Sequence, residues 1–587
     1  MVKVSDYVMD FLAKKGVKDV FLVSGGNSMH LLDSLGKHPT LRYICNHHEQ
    51  ASAMSAEGYA RITGNFGVCL VSSGPAQTNA LTGLMCAWED SIPVMFISGN
   101  CNSTQLKGNS GLRQKGVHEV DILPMVKDVT KMSLRITDPN QIKYDLDLIY
   151  DWMMEGRKGP VWIDIPVDIQ GMMFDPDTLY SPERIFDKIE FPKKHWNKLE
   201  VLFKNSKRPI VLIGGGAISN IDDTLKWATN KHIPIVCTKN AFGYISVNTL
   251  GYHGMIGVNG NREANLAIQN SDLVLVLGSR LALPATGYDF SHFAPDAIKV
   301  IVDVDAIQIG KSNIVFNLGF NMKVEDFMRK IARLNIRTLD FKRDKAWLDK
   351  LTEIDQAIMM NDFFIPDTNY VNSNHFFESL SDCMQDGDIL VVDQGAAFYS
   401  WSQSFSVQNT ISFTNGGFSP MGYGLPAAIG ACIAANRPVI CVTGDGGFEM
   451  NIQELQTIVH YKLPVKIFVF NNQGYGSIKD TQDKFFNGFY VGSDAGSGVT
   501  CVDPHKIADA YNIPYYSIRN DRDLDTLERI LQGSHPIIVN VMLDPHQKIY
   551  PKVMASMDEK GVMIPGKLED MYPLLDRDVF KNLMKTE

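Results

Sequence analysis

Apolar runs and amphipathic stretches alternate along almost the whole chain, and the runs are continuous rather than alternately apolar and polar. Such runs mark strands buried on both faces, as in parallel sheets covered by crossover helices. From Ser5 to about Phe174 the pattern predicts a helix capped by Ser5 and stopped by Gly16. Strands follow at Val20–Ser24, Tyr43–Asn46, Val68–Ser72 and Val94–Ser98, with helices between them. A stretch rich in charge and proline, Asp175 to Lys194, reads as a linker. A second unit opens with RPIVLIGGGAIS and continues through IPIVCTKN, DLVLVLGSR and IKVIVDVD to about Lys330. A charged helical connector covers Arg333 to Met360, a third α/β unit covers Ile365 to Asp544, and a tail ends at Glu587. The expected fold is α/β: three doubly wound parallel-sheet domains over residues 1–185, 186–345 and 365–550, with a C-terminal tail over 551–587.

Composition narrows the class. An apolar share of 45% with 21% charged residues in 587 is that of a globular protein of several domains. The net charge of −10, with no Lys/Arg run, argues against nucleic-acid or anionic-membrane surfaces. The N-terminus carries no long apolar stretch of a signal peptide, and no window reads as a membrane span. Nine cysteines scattered without CxxC pairs fit reduced thiols and a cytoplasmic location.

The densest chemistry lies between Val442 and Ser477. A strand over Pro438–Thr443, a glycine turn, a helix over Asn451–Tyr461 and a strand over Val465–Phe470 make a parallel βαβ unit. Asp445 and Asn472 then emerge at one carboxyl edge, where open α/β sheets hold ligands. A carboxylate, an amide oxygen and the Gly474 carbonyl are three hard donors suited to Mg²⁺. Gly444, Gly446 and Gly447 allow a phosphate close to the backbone at a helix N-terminus. Either turn alone reads as ordinary punctuation; the pair, one crossover apart, points to a metal-diphosphate site.

GDGG, ELQT and NNQG in this order, with NHHEQASAMSAEGYARITG and LVSSGPAQTNALTGL upstream, resemble the thiamine-diphosphate superfamily of acetohydroxyacid (acetolactate) synthases and pyruvate decarboxylases. The resemblance covers all three units and makes them pyrimidine-binding, middle and diphosphate-binding domains. It implies that Glu49 sets the protonation of the cofactor's aminopyrimidine ring beside a wall formed by Ser73 and Pro75, and that Met421 props the cofactor in a bent form. It also implies that Gly395, Ala396, Ala397, Ser419, Tyr475, Gly476 and Ser477 line the cofactor, while Gly26, Asn27 and His118 lie near bound substrate. A homodimer, or a homotetramer, would bring Glu49 of one chain to the metal site of another. A non-redox FAD is implied in the middle domain at Gly214, Gly215, Gly216, Gly251, His253, Gly278, Arg280 and Asp303. This chain departs from the relatives there, with Leu281, Ala282, Leu283 and Pro284 in place of charged residues.

The expected activity is decarboxylation of pyruvate and transfer of the two-carbon unit to a carbonyl acceptor. Asp480-Thr481 replaces the Gln-Trp pair that true acetohydroxyacid synthases carry after NNQ, and His118-Glu119 replaces Gln-Glu. GYGSIKxTQxxFF is similar instead to a branch found with surface-polysaccharide genes. That suggests a keto-deoxysugar nucleotide acceptor, of the yersiniose type, and carbohydrate biosynthesis. Arg113, Lys115 or Lys479 would then meet an anionic acceptor. The alternatives are an acetolactate synthase, a simple 2-keto acid decarboxylase, or a cofactor-binding regulatory chain without turnover.

Overall fold

The computed structural model describes residues 1–178, 191–311, 313–340, 342, 344–359, 369–548, 550–557, 559–560 and 562–584. Most of the expected 175–194 linker lies outside them. The first unit opens with α1 (Val4–Lys14). Ser5 lies inside this helix, its hydroxyl accepting from Ser34 Oγ at 2.8 Å, so it is a packing residue rather than the cap.

Strands β1 (Asp19–Leu22), β2 (Arg42–Cys45), β3 (Gly67–Val71), β4 (Val94–Asn100), β5 (Met132–Arg135) and β6 (Val161–Pro166) form a sheet in the order β2-β1-β3-β4-β6-β5. The helices that concern the site are α2 (Glu49–Thr63) after β2 and α3 (Leu81–Asp90) after β3. The second sheet contains β7 (Pro209–Ile213), β8 (Ile235–Cys237), β9 (Tyr252–Met255), β10 (Leu273–Leu277), β11 (Ile298–Asp303) and β12 (Leu318–Asn321), ordered β9-β8-β7-β10-β11-β12. Its strand order reverses between β7 and β10, the topological switch point of such sheets. The connector folds as α4 (Lys345–Met359), which buries Trp347 and Leu351.

The third sheet contains β13 (Ile389–Val392), β14 (Ile411–Phe413), β15 (Val439–Gly444), β16 (Val465–Asn471), β17 (Tyr515–Ile518) and β18 (Ile537–Met542). Its order, β14-β13-β15-β16-β18-β17, repeats that of the first sheet, and the pairing is parallel throughout all three. Its helices include α5 (Gly424–Ala435), α6 (Asp445–Met450), α7 (Glu454–Tyr461) and α8 (Gly476–Phe486).

The equivalent helices α2 and α5 pack against each other between the outer domains. Glycine makes this possible: a Cβ on Gly58 would stand 2.4 Å from the Ala427 carbonyl oxygen, and one on Gly430 would stand 1.9 Å from that of Ser55. The Ser55 hydroxyl donates to the Pro426 carbonyl at 2.9 Å in the same crossing. The tail returns to the middle domain, where Leu575 and Leu583 pack with Leu266 and Ile354. No helix among the described residues is long and apolar enough to cross a membrane.

Candidate functional site

Register brings the two metal-ligand candidates together. Gly444, the last residue of β15, pairs with Phe470 of β16, so Asp445 and Asn472 leave neighbouring strands at one edge. The glycine turn expected at GDGG is the first turn of α6. The single helix expected over Asn451–Tyr461 is instead two helices. Asn451 leaves helical geometry (φ −135°) and its amide donates to the Gly422 carbonyl at 2.7 Å, stitching this bend to the loop after Met421.

Asp445 is 4% exposed. Its carboxylate accepts from Gly446 N at 2.8 Å and Gly474 N at 3.0 Å. Burial pushes its carboxyl up to about 6 even though these amides favour the charged form. At the end of the neighbouring strand, the Asn472 side-chain oxygen is buried with no hydrogen-bond partner among the described residues. A buried amide oxygen is seldom left bare. An orphaned oxygen at the same sheet edge as a desolvated carboxylate fits a hard cation, with the Gly474 carbonyl as third donor. No group of three or more His, Cys, Asp or Glu that could hold a metal occurs among the described residues; this donor set uses one carboxylate only.

The surrounding loops converge as a diphosphate cradle would require. A Cβ on Gly446 would stand 2.2 Å from the Tyr475 ring, so the ring covers this turn only because residue 446 lacks a side chain. A Cβ on Gly395, which precedes the helix starting at Ala396 and Ala397, would be 3.9 Å from Ser477 Oγ. Asp393, absent from the sequence-based candidates as a working residue, ties these loops. Its carboxylate accepts from Gln394 N (2.7 Å), Gly422 N (3.1 Å) and Thr443 Oγ1 (2.9 Å), and burial raises its proton affinity despite these donors.

On the first sheet, Glu49 opens α2 at the carboxyl edge, half-buried, and its Oε2 accepts from Asn79 Nδ2 at 2.9 Å. The turn before it is gripped by the third domain: Glu454 of α7 accepts from Asn46 Nδ2 at 2.9 Å, His47 N at 2.9 Å and Thr457 Oγ1 at 2.7 Å. Asn27 Nδ2 donates to Ser73 Oγ at 2.5 Å, and Gly74 N donates to Gln77 Oε1 at 3.1 Å. His118 is exposed with φ 57°, its carbonyl packed under Gly74. Glu119 holds that loop by accepting from the Lys107, Lys115 and Gly116 amides, which outweigh its burial and keep its carboxyl below the ordinary range. Asn27, Ser73 and His118 therefore share one edge with Glu49. No hydrogen bond or ion pair joins Glu49 to Asp445 or Asn472 among the described residues.

Lys479, expected to be open to an anion, is only 8% exposed and lies near the Tyr490 ring. Asp480 on α8 is neutralised by Lys552 and by Lys548 at 3.0 Å.

A cavity of about 640 Å³ opens at the switch point of the middle sheet, within the size range of ligand sites. Gly215, Gly216, Gly278, Arg280 and Asp303 line it, and residues of both outer domains close it. A glycine turn beside a buried acid at a strand end fits a dinucleotide. Gly214, Gly251 and His253 do not line it; His253 turns away to Asp355 of α4 at 3.2 Å.

Three family profiles match the chain: the N-terminal TPP-binding domain of thiamine pyrophosphate enzymes over residues 2–125, their central domain over 197–331, and their C-terminal TPP-binding domain over 394–541. The probable acetolactate synthase large subunit of Methanocaldococcus jannaschii is 30% identical over 99% of this chain and 98% of its own length. The acetolactate synthase isozyme 1 large subunit of Escherichia coli is 27% identical over 94% and 95%. The chloroplastic acetolactate synthase 1 of Nicotiana tabacum is 29% identical over 97% and 86%.

Proposed function

The chain belongs to the thiamine pyrophosphate enzyme family, as an acetolactate synthase-like transferase, and from that premise we propose that it decarboxylates pyruvate and joins the two-carbon unit to a second 2-keto acid. The observation that carries this reading is the bare Asn472 oxygen one strand over from Asp445, at the strand ends of a thiamine-diphosphate domain. Asp445, Asn472 and the Gly474 carbonyl would hold Mg²⁺, and the Gly446–Gly447 and Gly395–Ala397 turns would receive the diphosphate. Thiamine diphosphate, when bound, supplies the electron sink that lets pyruvate lose CO₂ and carry its remaining carbons onward.

The chain's own residues supply placement and proton control. Asn79 holds the Glu49 carboxylate in one orientation, and Glu454 fixes the turn that presents it. Met421 stands next to the Gly422 amide that Asp393 fixes, which supports its role as a prop. Asn27, Ser73 and His118 edge the substrate side. Glu49 serves the metal site of a second copy, so a homodimer is the smallest working unit in this reading. The cavity at Gly215 and Asp303 suits FAD without a redox task.

A second acceptor, a keto-deoxysugar nucleotide, is favoured by one feature only. Asp480-Thr481 stands where a Trp would shape a keto-acid pocket, and the named relatives lend this acceptor no support. Incubation of the chain with labelled pyruvate, thiamine diphosphate and Mg²⁺ decides between them by mass spectrometry. Acetolactate is the expected product. A labelled branched sugar formed only with a keto-sugar nucleotide would move the acceptor, free acetaldehyde alone would make the chain a decarboxylase, and no CO₂ from any 2-keto acid would end the reading.

A further inference from the structure

The cavity between the domains has chemically different ends. At one, Asp303 closes β11 with a buried carboxylate suited to hydroxyl groups. At the other stands Lys239, the first residue of the short helix Lys239–Phe242 that follows β8. Its ammonium lies 4.1 Å from the centre of the Phe398 ring and 3.5 Å from Ser419 Oγ, and no carboxylate within ion-pair distance accompanies it among the described residues. The acid acting on it from further away, Asp90, is already committed. Its carboxylate takes Arg61 at 2.6 Å, Gly416 N at 2.7 Å and Asn240 Nδ2 at 3.0 Å. Of the other cations lining the cavity, Arg61 is taken by Glu57 and Asp90, Arg280 by Glu89 at 2.9 Å, Arg157 by Asp305 at 3.8 Å and Lys323 by Glu155 at 3.4 Å, while Lys158 is exposed to solvent. Burial pulls the Lys239 ammonium down to about 8 even with Asp90 nearby. A half-buried ammonium that meets, among the described residues, a hydroxyl and a ring face but no counter-charge is costly unless something else compensates it.

We propose that Lys239 is the anion-binding end of this cavity, so that its ligand sets a negatively charged group against the ammonium while its hydroxyls meet Asp303. The proposal rests on the reading of the cavity as a dinucleotide site. It also gives the ligand a route to the catalytic half. Ser419 lies just before Met421, and Gly416 and Gly417 line the same wall, so a group held at Lys239 abuts the loop that carries the cofactor prop.

The test uses the full chain loaded with thiamine diphosphate and Mg²⁺, so that the diphosphate site is blocked. FAD binding is followed by fluorescence and inorganic pyrophosphate binding by the thermal midpoint, for the wild type and Lys239→Met. The Met variant should bind FAD roughly tenfold or more weakly, since a contact to a charged group is lost. It should also lose the pyrophosphate shift, while its ligand-free midpoint stays or rises because a half-buried charge without a counter-charge has gone. Lys239→Gln, which keeps a donor for Ser419, carries the same expectation if the Met variant does not fold. Wild-type affinities in the variants would overturn the proposal, as would a lowered midpoint with binding retained, which would make Lys239 a structural partner of Asp90. If the wild type takes pyrophosphate through Lys239 but not FAD, the flavin reading fails and the anion end stands. If it takes neither, the anion end fails too.

Discussion

Replacing Glu49 with Gln separates proton control from architecture, because the side chain keeps its length and an oxygen that can still accept from Asn79 Nδ2, now 2.9 Å from Glu49. The structural cost should be small. Glu49 is half-buried in the first turn of α2, and losing its charge there forfeits about 0.3–1 kcal/mol of helix-dipole interaction. The fold of α2 is set elsewhere, by its crossing with α5 and by Glu454 on the preceding turn. A positioned acid–base group is worth roughly 10²–10⁴ in rate, or about 2.7–5.5 kcal/mol of barrier. The catalytic effect should therefore exceed the structural one several-fold. CO₂ release from pyruvate by the cofactor-loaded variant should fall by roughly 10²–10⁴, with the thermal midpoint nearly unchanged. Turnover within about threefold of wild type, or a loss of activity matched by unfolding, would refute the assigned role.

Glu454→Gln offers an amide N–H where Asn46 and Thr457 now donate to a carboxylate, at a cost of about 1.5–3 kcal/mol. Faster hydrogen exchange across residues 45–50 with the third sheet unaffected is the signature, and unchanged exchange would contradict it. Gly430→Val would drive a side chain into the Ser55 carbonyl and separate α2 from α5. The expected result is aggregation or loss of the folded chain on size exclusion, and a well-behaved variant would mean the crossing adapts. Asp145→Asn tests a burden of the first domain, since burial and then Asp138 raise the Asp145 carboxyl to about 6. The folded state thus binds more protons than the unfolded one between about pH 4 and 6, so this site's contribution falls as pH rises through that window. The Asn variant should melt higher than wild type at pH 7, by about 1 kcal/mol after allowing for solvent screening, and at the same temperature as wild type at pH 4; a gain at both pH values would place the cause elsewhere.

Much of this was legible along the chain because parallel sheets announce themselves as continuous apolar runs. The runs at Val68 and Val94 became β3 and β4 with ends displaced by a residue or two. Asp445 and Asn472 were legible because the strand–helix–strand spacing alone brings them to one edge. The break at Asn451 leaves no local signal, because Gly422, far off in sequence, makes it by accepting the Asn451 amide. The roles of Asp393, Asn79 and Glu454 are hidden in the sequence for the same reason. Each works through partners fixed only by the fold, and Glu454 reaches across 408 positions to Asn46. Lys479 looked exposed because lysines usually are, yet α8 folds it inward.

The most direct test of the central claim is calorimetric titration of thiamine diphosphate into the wild type, Asn472→Leu and Asp445→Asn, with and without Mg²⁺. The wild type should bind only with Mg²⁺, and each variant should bind at least 10–100-fold more weakly, since even residues that merely support a metal ligand cost that much. Equal binding by the variants, or tight binding by the wild type without Mg²⁺, would mean that the cofactor is not held through a cation at these two side chains.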